Sequence, residues 1–263
     1  MLEITGLYKT FNKGTINEKI ALSGLNLTVN DGDFVTVIGG NGAGKSTLLN
    51  AVCGVFSVDS GKILLGGRDI TNLPEYKRAS YLGRVFQDPM MGTSPNMEIQ
   101  ENLALAYRRG KKRYLMPGIT KKEKELYRQK LSRLGLGLED RMTSKVGLLS
   151  GGQRQSLTLV MASLKKPELL LLDEHTAALD PKTAAKVLEL TDEITREEAL
   201  TTIMITHNMK DAIRYGNRLV MLHEGRVVYD VCGAEKSALT VEDLLRKFEE
   251  CAGGIDNDRM LLV

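Results

Sequence analysis

Gly39-Gly40-Asn41-Gly42-Ala43-Gly44-Lys45-Ser46 fits the pattern G-x-x-x-x-G-K-[ST], a spacing that suits phosphate. Glycines let backbone N–H groups turn inward around phosphate oxygens, and a helix opening at the loop adds its positive dipole end. In that chemistry Gly39, Asn41, Gly42, Ala43, Gly44 and Thr47 line the phosphates of a nucleoside triphosphate. Lys45 reaches the β- and γ-phosphates, and the Ser46 hydroxyl sits on Mg²⁺. A second group of residues answers this loop. Leu169-Leu170-Leu171-Leu172 ends in Asp173-Glu174, two consecutive carboxylates where a buried strand would emerge. An acidic pair at a strand end is common by itself. Following a phosphate loop, Asp173 is placed to hold Mg²⁺ through water and Glu174 to polarise an attacking water as general base.

Such a loop needs a strand before it and a helix after it. The apolar run Phe34–Ile38 and the helical stretch Ser46–Val52 supply them. Leu2–Leu7, Ile20–Val29 and Phe34–Gly39 read as strands, with Asn30-Asp31-Gly32 as a hairpin turn between the last two. Lys62–Leu65 is a further short strand ending at Gly66-Gly67. From about Asp88 to Lys166 strand patterns give way to helical ones, Glu98–Tyr107 and Lys121–Leu134, with Pro and Gly between. After Leu169–Leu172 come a helix over about Thr183–Ala199, a strand Thr202–Thr206 and a hairpin at Glu224-Gly225. Thr240-Val241-Glu242-Asp243 reads as a capping box opening a last helix to about Phe248. The expectation is one α/β domain over residues 1–263. Its core comprises 1–87 and 167–263, and a helical subdomain over 88–166 is inserted into it.

Composition narrows the rest. A formal net charge of +3 over 263 residues is too mild to argue for nucleic acid. No apolar run approaches the ~20 residues of a membrane-spanning helix. Met1-Leu2-Glu3-Ile4-Thr5 has neither a basic n-region nor an apolar h-region, so no signal peptide is expected and a cytosolic setting is. Cys53, Cys232 and Cys251 lack metal-site spacing and read as free thiols. Ten basic residues between Arg108 and Lys130 stand against Glu123 and Glu125; they suit either a surface facing phosphate head groups or nucleic acid, or a solvated helix pair, and the second reading is favoured because few aromatics are interleaved. The segment from Gly253 reads either as a loose tail or as a docking element.

Leu149-Ser150-Gly151-Gly152-Gln153 resembles the signature sequence of the ATP-binding cassette (ABC) ATPases, and the resemblance covers nearly the whole chain. Val85-Phe86-Gln87-Asp88-Pro89 is similar to that family's glutamine loop, Ala178-Leu179-Asp180 to its D-loop and Thr206-His207 to its switch histidine. Lys9-Thr10-Phe11 looks like the adenine-stacking loop, with Phe11 as the ring and Tyr8 a less favoured substitute. The resemblance implies a P-loop NTPase core of ABC type, with an N-terminal antiparallel β subdomain and an inserted helical subdomain. It also implies that two copies sandwich two ATP molecules. Ser150, Gly151, Gly152 and Gln153 would then close over the γ-phosphate held by the other copy, with Asp180 beside them. Gln87 would contact Mg²⁺ and water, and His207 would hydrogen-bond the γ-phosphate and help position the water. Two departures stand out. His175 occupies a place where the family usually has proline, and the helix after Gln153 is less basic than usual. His175 and His223 read as structural.

Family likeness further implies separate integral-membrane permease subunits, with the chain peripheral on the inner face of the cell membrane. In such proteins the helical subdomain and glutamine loop form a groove for a short permease helix. Lys145–Leu149 lacks the Val-Gly-Glu-x-Gly segment typical of fused exporters, which favours uptake with an extracytoplasmic solute-binding protein. A small solute such as an amino acid is the expected cargo. The alternative is a soluble ATPase driving an assembly reaction of the iron–sulfur scaffold type. Its signature normally carries Glu and Lys where this chain has Gln153-Arg154-Gln155. DNA-repair and ribosome-acting members need long insertions or two cassettes, and neither is evident.

Overall fold

The computed structural model describes residues 1–111 and 118–252. In chain order the strands and helices open with β1 (Leu2–Phe11), β2 (Lys19–Val29), β3 (Phe34–Ile38) and α1 (Lys45–Cys53). β4 (Ser60–Leu65), β5 (Arg68–Asp69) and a single turn, α2 (Glu75–Arg78), follow. Then come β6 (Leu82–Val85), α3 (Ile99–Tyr107), α4 (Lys121–Ser132), α5 (Gly151–Ser163), β7 (Leu169–Asp173) and α6 (Pro181–Glu197). The last are β8 (Thr202–Ile205), α7 (Met209–Arg214), β9 (Arg218–His223), β10 (Arg226–Cys232), α8 (Gly233–Ser237) and α9 (Val241–Ala252). Packing divides the chain into a unit of residues 1–78 and 199–263 and a unit of residues 79–198.

In the first unit the burial patterns explain why two sheets form. β2 alternates along much of its length, burying Leu25, Leu27 and Val29 and exposing the residues between, as a strand with one wet face does. It joins an antiparallel sheet of order β2-β1-β4-β5. β3 is buried at all five positions, which needs cover on both faces. It pairs in parallel with β8 and β9, and β10 closes on β9 antiparallel through the Glu224-Gly225 turn. Asn30-Asp31-Gly32 is therefore a crossing between sheets and not the hairpin that its composition suggests. The last helix opens on the expected box: Thr240 Oγ1 accepts from the Asp243 amide while the Asp243 carboxylate accepts from Thr240.

The second unit is built around α5, whose Leu157 and Val160, with Leu164 just past its end, meet Ile99 and Leu103 of α3 and Tyr127 and Leu131 of α4. β6 and β7 pair in parallel, Leu82 with Leu169 through Val85 with Leu172. β6 is absent from the sequence reading because it is four residues long and carries Arg84. The basic face of α4 is solvated at Lys121, Lys122, Lys124 and Arg128, while Glu123 pairs with Arg108 at 3.0 Å. Lys112, Arg113 and the segment from Gly253 lie outside the described residues.

One buried cation secures the helix that follows the phosphate loop. Arg78 is 2% exposed and donates to Ala51 and Val52 carbonyls at the end of α1 and to Leu73 and Thr71 carbonyls. A helix C-terminus presents unpaired carbonyls with partial negative charge, so a guanidinium there satisfies both bonding and dipole. Burial lowers the pKa of Arg78, yet arginine stays charged in proteins. Arg78→Met should cost about 2–4 kcal/mol by removing the guanidinium donor from four carbonyls, of which Ala51 alone keeps the Gly54 amide. Differential scanning calorimetry should record a Tm lower by roughly 5–10 °C, with Arg78→Lys falling between. An unchanged Tm for Arg78→Met would contradict this anchoring role.

Candidate functional site

The phosphate-type loop runs from the end of β3 into α1, and its backbone takes conformations that side chains would forbid. Gly44 has φ 102°, and a Cβ there would lie 2.6 Å from the Ala21 carbonyl oxygen. Only glycine lets β2 press this closely on the head of α1. The Lys45 side chain is 5% exposed and donates to the loop's own carbonyls, Gly39 O at 2.6 Å and Gly40 O at 3.0 Å. Asn41, Gly42 and Ser46 are exposed, Thr47 is half-buried, and Gly39 and Ala43 are buried. The loop thus ends at the N-terminus of a nine-residue helix, whose first N–H groups have no carbonyl a turn earlier in the helix, a setting that attracts anions.

Strand register gathers the other candidates of this unit. Val37 of β3 stands opposite Ile205 of β8, so His207 and Gly39 leave the same carboxyl edge. Ligands of parallel α/β sheets bind at that edge. Thr206 Oγ1 accepts from the Asn208 amide at 3.0 Å, fixing the turn in which half-buried His207 sits. Phe11 ends β1 and is half-buried against Phe56 in an edge-on contact, centroids 5.2 Å apart. Lys9 Nζ lies 5.3 Å from the Phe11 centroid and 5.2 Å from that of Phe56, so both rings are held under one cation. The Tyr8 hydroxyl instead lies against Gly24.

The second unit has its own carboxyl edge. Val85 pairs with Leu172, so Gln87 and the pair Asp173-Glu174 emerge side by side from β6 and β7. Gln87 is exposed; Asp173 and Glu174 are half-buried. Glu174 has φ 46°, a left-handed conformation unusual for a residue with a side chain. The turn after it closes with the Ala177 amide on the Glu174 carbonyl at 3.0 Å. Arg84, three residues before Gln87, donates to Asp173 Oδ2 at 3.2 Å and stacks on Phe86 at 4.5 Å. Both partners of this ion pair are only 15% exposed. The sequence reading missed Arg84, although a charged residue inside a short apolar strand beside Gln87 was its available signal.

Ser150 caps α5. Its Oγ accepts from the Gln153 amide, and Gln153 Oε1 accepts from the Ser150 amide at 3.1 Å. Gly151 is exposed at this helix head, while a Cβ on Gly152 would lie 2.2 Å from Thr183 Cγ2. Glycine there permits the close approach of α6. Two side chains not foreseen brace this segment. Arg154 donates to the Gly147 and Leu149 carbonyls, and fully buried Gln155 donates to the Phe86 carbonyl at 3.2 Å. Gln155 therefore ties the helix of the signature-like sequence to the glutamine-loop strand. Asp180 caps α6 by accepting from the Thr183 amide at 3.1 Å, with Pro181 at the first helical position. Hydrogen bonding to Thr183 holds its carboxyl below the usual range. Beside these elements lies a cavity of about 410 Å³, lined by Phe86, Met91, Leu105, Ala106, Arg109 and Met161 among others.

His175 is buried at 2% exposure with Nε2 3.1 Å from Thr191 Oγ1 on α6. That hydroxyl already donates to the Val187 carbonyl at 2.7 Å, so the imidazole must donate to it and is neutral with its proton on Nε2. Burial pushes the imidazole down to about 4. In the unfolded chain it takes up a proton near ~6.5, so between ~6.5 and ~4 the unfolded state binds more protons. Stability is therefore lost as pH falls through that window. In nucleotide-free protein, lowering pH from 7 to 5 should cost wild type about 2 kcal/mol more than His175→Asn, read from urea unfolding. Parallel pH profiles for the two proteins would contradict the assignment.

The profile of the family described as "ABC transporter" matches residues 22–177. The chain is 51% identical to the tyrosine transport ATP-binding protein of Clostridioides difficile, over 95% of this chain and 99% of that protein. It is 34% identical to the spermidine/putrescine import ATP-binding protein PotA of Haemophilus influenzae, over 88% of this chain but 57% of that longer protein. A dimeric post-hydrolysis ATP-binding cassette bound to ADP and Pi superposes with TM-score 0.75 at 28% identity, covering 88% of this chain and 98% of that one. The cbiO1 protein of Clostridium perfringens, part of an ABC transporter complex, superposes with TM-score 0.76 at 27% identity, covering 95% and 94%.

Proposed function

The chain belongs to the ABC transporter family, and from that premise we propose that it hydrolyses ATP to drive uptake of an amino acid through separate permease subunits. It is an ATPase subunit that binds ATP and ADP. A relative coextensive with this chain that serves tyrosine transport carries the cargo reading, and makes tyrosine the first solute to test. Cargo choice itself rests with the permease and an extracytoplasmic binding protein. No helix among the described residues is long and apolar enough to cross a membrane, so the chain would reach the inner face of the membrane through its permeases. The cavity beside Phe86 and Leu105 is the seat we assign to a short permease helix. Met91 is 70% exposed and Leu105 53%, apolar surface that a partner would cover.

The adenine would stack on Phe11 and the phosphates would lie along Gly39, Asn41, Gly42, Ala43, Gly44, Lys45 and Thr47. On nucleotide arrival the Lys45 ammonium would exchange the Gly39 and Gly40 carbonyls for β- and γ-phosphate oxygens. Ser46, Gln87 and Asp173 are all oxygen donors, the chemistry that Mg²⁺ takes together with phosphate oxygens and water. Arg84 engages Oδ2 of Asp173, and in this reading Asp173 would hold the metal through water by its other oxygen. Bound there, the ion would offset charge on the β- and γ-phosphates. Glu174 would accept a proton from the attacking water as its oxygen bonds to the γ-phosphorus. The bond to the bridging oxygen then breaks, leaving ADP and inorganic phosphate. His207 would donate to a γ-phosphate oxygen. A second copy would bring Ser150, Gly151, Gly152 and Gln153, a capped helix head, over that phosphate, with its Asp180 beside them.

Glu174→Gln separates binding from chemistry. Calorimetry should show MgATP affinity within about threefold of wild type, while hydrolysis falls about 10²-fold or more. With ATP the variant should run as a dimer on sizing. Hydrolysis at the wild-type rate would overturn the role given to Glu174.

A further inference from the structure

Lys45 is the lysine that the loop pattern supplies, but a second ammonium stands over the same loop. Lys19 opens β2 and is exposed, and its Nζ lies 3.0 Å from the point where a Cβ on Gly42 would stand. Gly42 has φ 79° and lies in the middle of the loop. Register places Lys19 directly opposite Phe11 across the β1–β2 pair. Directly opposed residues of an antiparallel pair share a face, so the ring and the ammonium are presented together. Lys19 forms no ion pair with any described residue.

This arrangement is electrostatically unfavourable without a ligand. The loop's N–H groups and the head of α1 already carry partial positive charge, and among the described residues no carboxylate pairs with the added cation. Lys45 is buried and turned onto loop carbonyls, so Lys19 is the ammonium offered outward. An anion relieves the repulsion of all these groups at once.

We propose that Lys19 is a second phosphate-binding cation of the nucleotide site, contacting the phosphate chain of ATP and ADP next to Gly42. The proposal rests on the reading of this loop as the ATP site. Phe11 and Lys19 would then work as a pair, one recognising the base by stacking and the other the phosphates by charge. The sequence alone gives Lys19 no such role, because the turn of residues 12–18 must first fold β2 back along β1.

The test is calorimetric titration of ATP and ADP into wild type, Lys19→Met and Lys19→Arg, at low and high salt. Lys19→Met should weaken both nucleotides about tenfold, the order of one exposed charge-assisted hydrogen bond. The difference should shrink at about 0.5 M salt, and Lys19→Arg should restore most of the loss. Wild-type affinity in Lys19→Met overturns the proposal. So does equal impairment of Lys19→Met and Lys19→Arg with no salt dependence, which would mean that the side chain acts by packing. Failure of wild type itself to bind ATP would sink the underlying site reading instead, so the two failures are distinguishable.

Discussion

An anion is held at the head of a helix only if several backbone N–H groups converge on it, and that convergence constrains every element around the loop. The turn from β3 into α1 must be tight, so Gly44 lies at φ 102° with the Ala21 carbonyl where a side chain would start. The strand before the loop must not slide, and full burial of Phe34–Ile38 between parallel neighbours prevents it. The helix after it must not fray, and Arg78 holds its last carbonyls. Preorganisation of this kind is what lets fixed dipoles act on phosphate without reorganising during the reaction. Even the lysine is held in place by bonds to loop carbonyls, which phosphate oxygens would replace in the proposed reading.

The second unit follows a different logic, in which buried polar side chains connect segments far apart in sequence. Arg84 joins the strand of the glutamine loop to Asp173, and Gln155 joins the same strand to the signature helix. His175 joins the residue after Glu174 to α6. Each link is a polar group taken out of water, so each is costly to break and favours one arrangement. A partner helix settling beside Phe86 would press on a strand already tied to Asp173 and to α5. That is a physical route by which permease movement and nucleotide chemistry could be coupled.

The elements were largely legible because the chain writes them locally. The phosphate loop, the run Leu169–Leu172 and the capping box at Thr240 are short patterns whose physics needs no tertiary context. Asn30-Asp31-Gly32 joins two sheets instead of closing a hairpin, because turn composition says that the chain reverses and nothing about which sheet receives the next strand. β6 was invisible because four residues with an arginine among them carry no period. For the candidate site, motif residues could be named from spacing, whereas Lys19, Arg84 and Gln155 acquire meaning only once the folded chain sets them beside Gly42, Asp173 and Phe86. His175 was read as structural from sequence, and its buried neutral bond to Thr191 gives that reading a physical form.

The proposed role of this ATPase is to serve a membrane permease for a small solute. Its most direct test is to tag the chain in its own cell, solubilise the membranes gently and identify co-purifying proteins by mass spectrometry. Recovery of a multi-span permease, with a solute-binding protein in its company, is the predicted result. Recovery from the soluble fraction with non-membrane partners alone would contradict the claim, while leaving the phosphate chemistry of the loop intact.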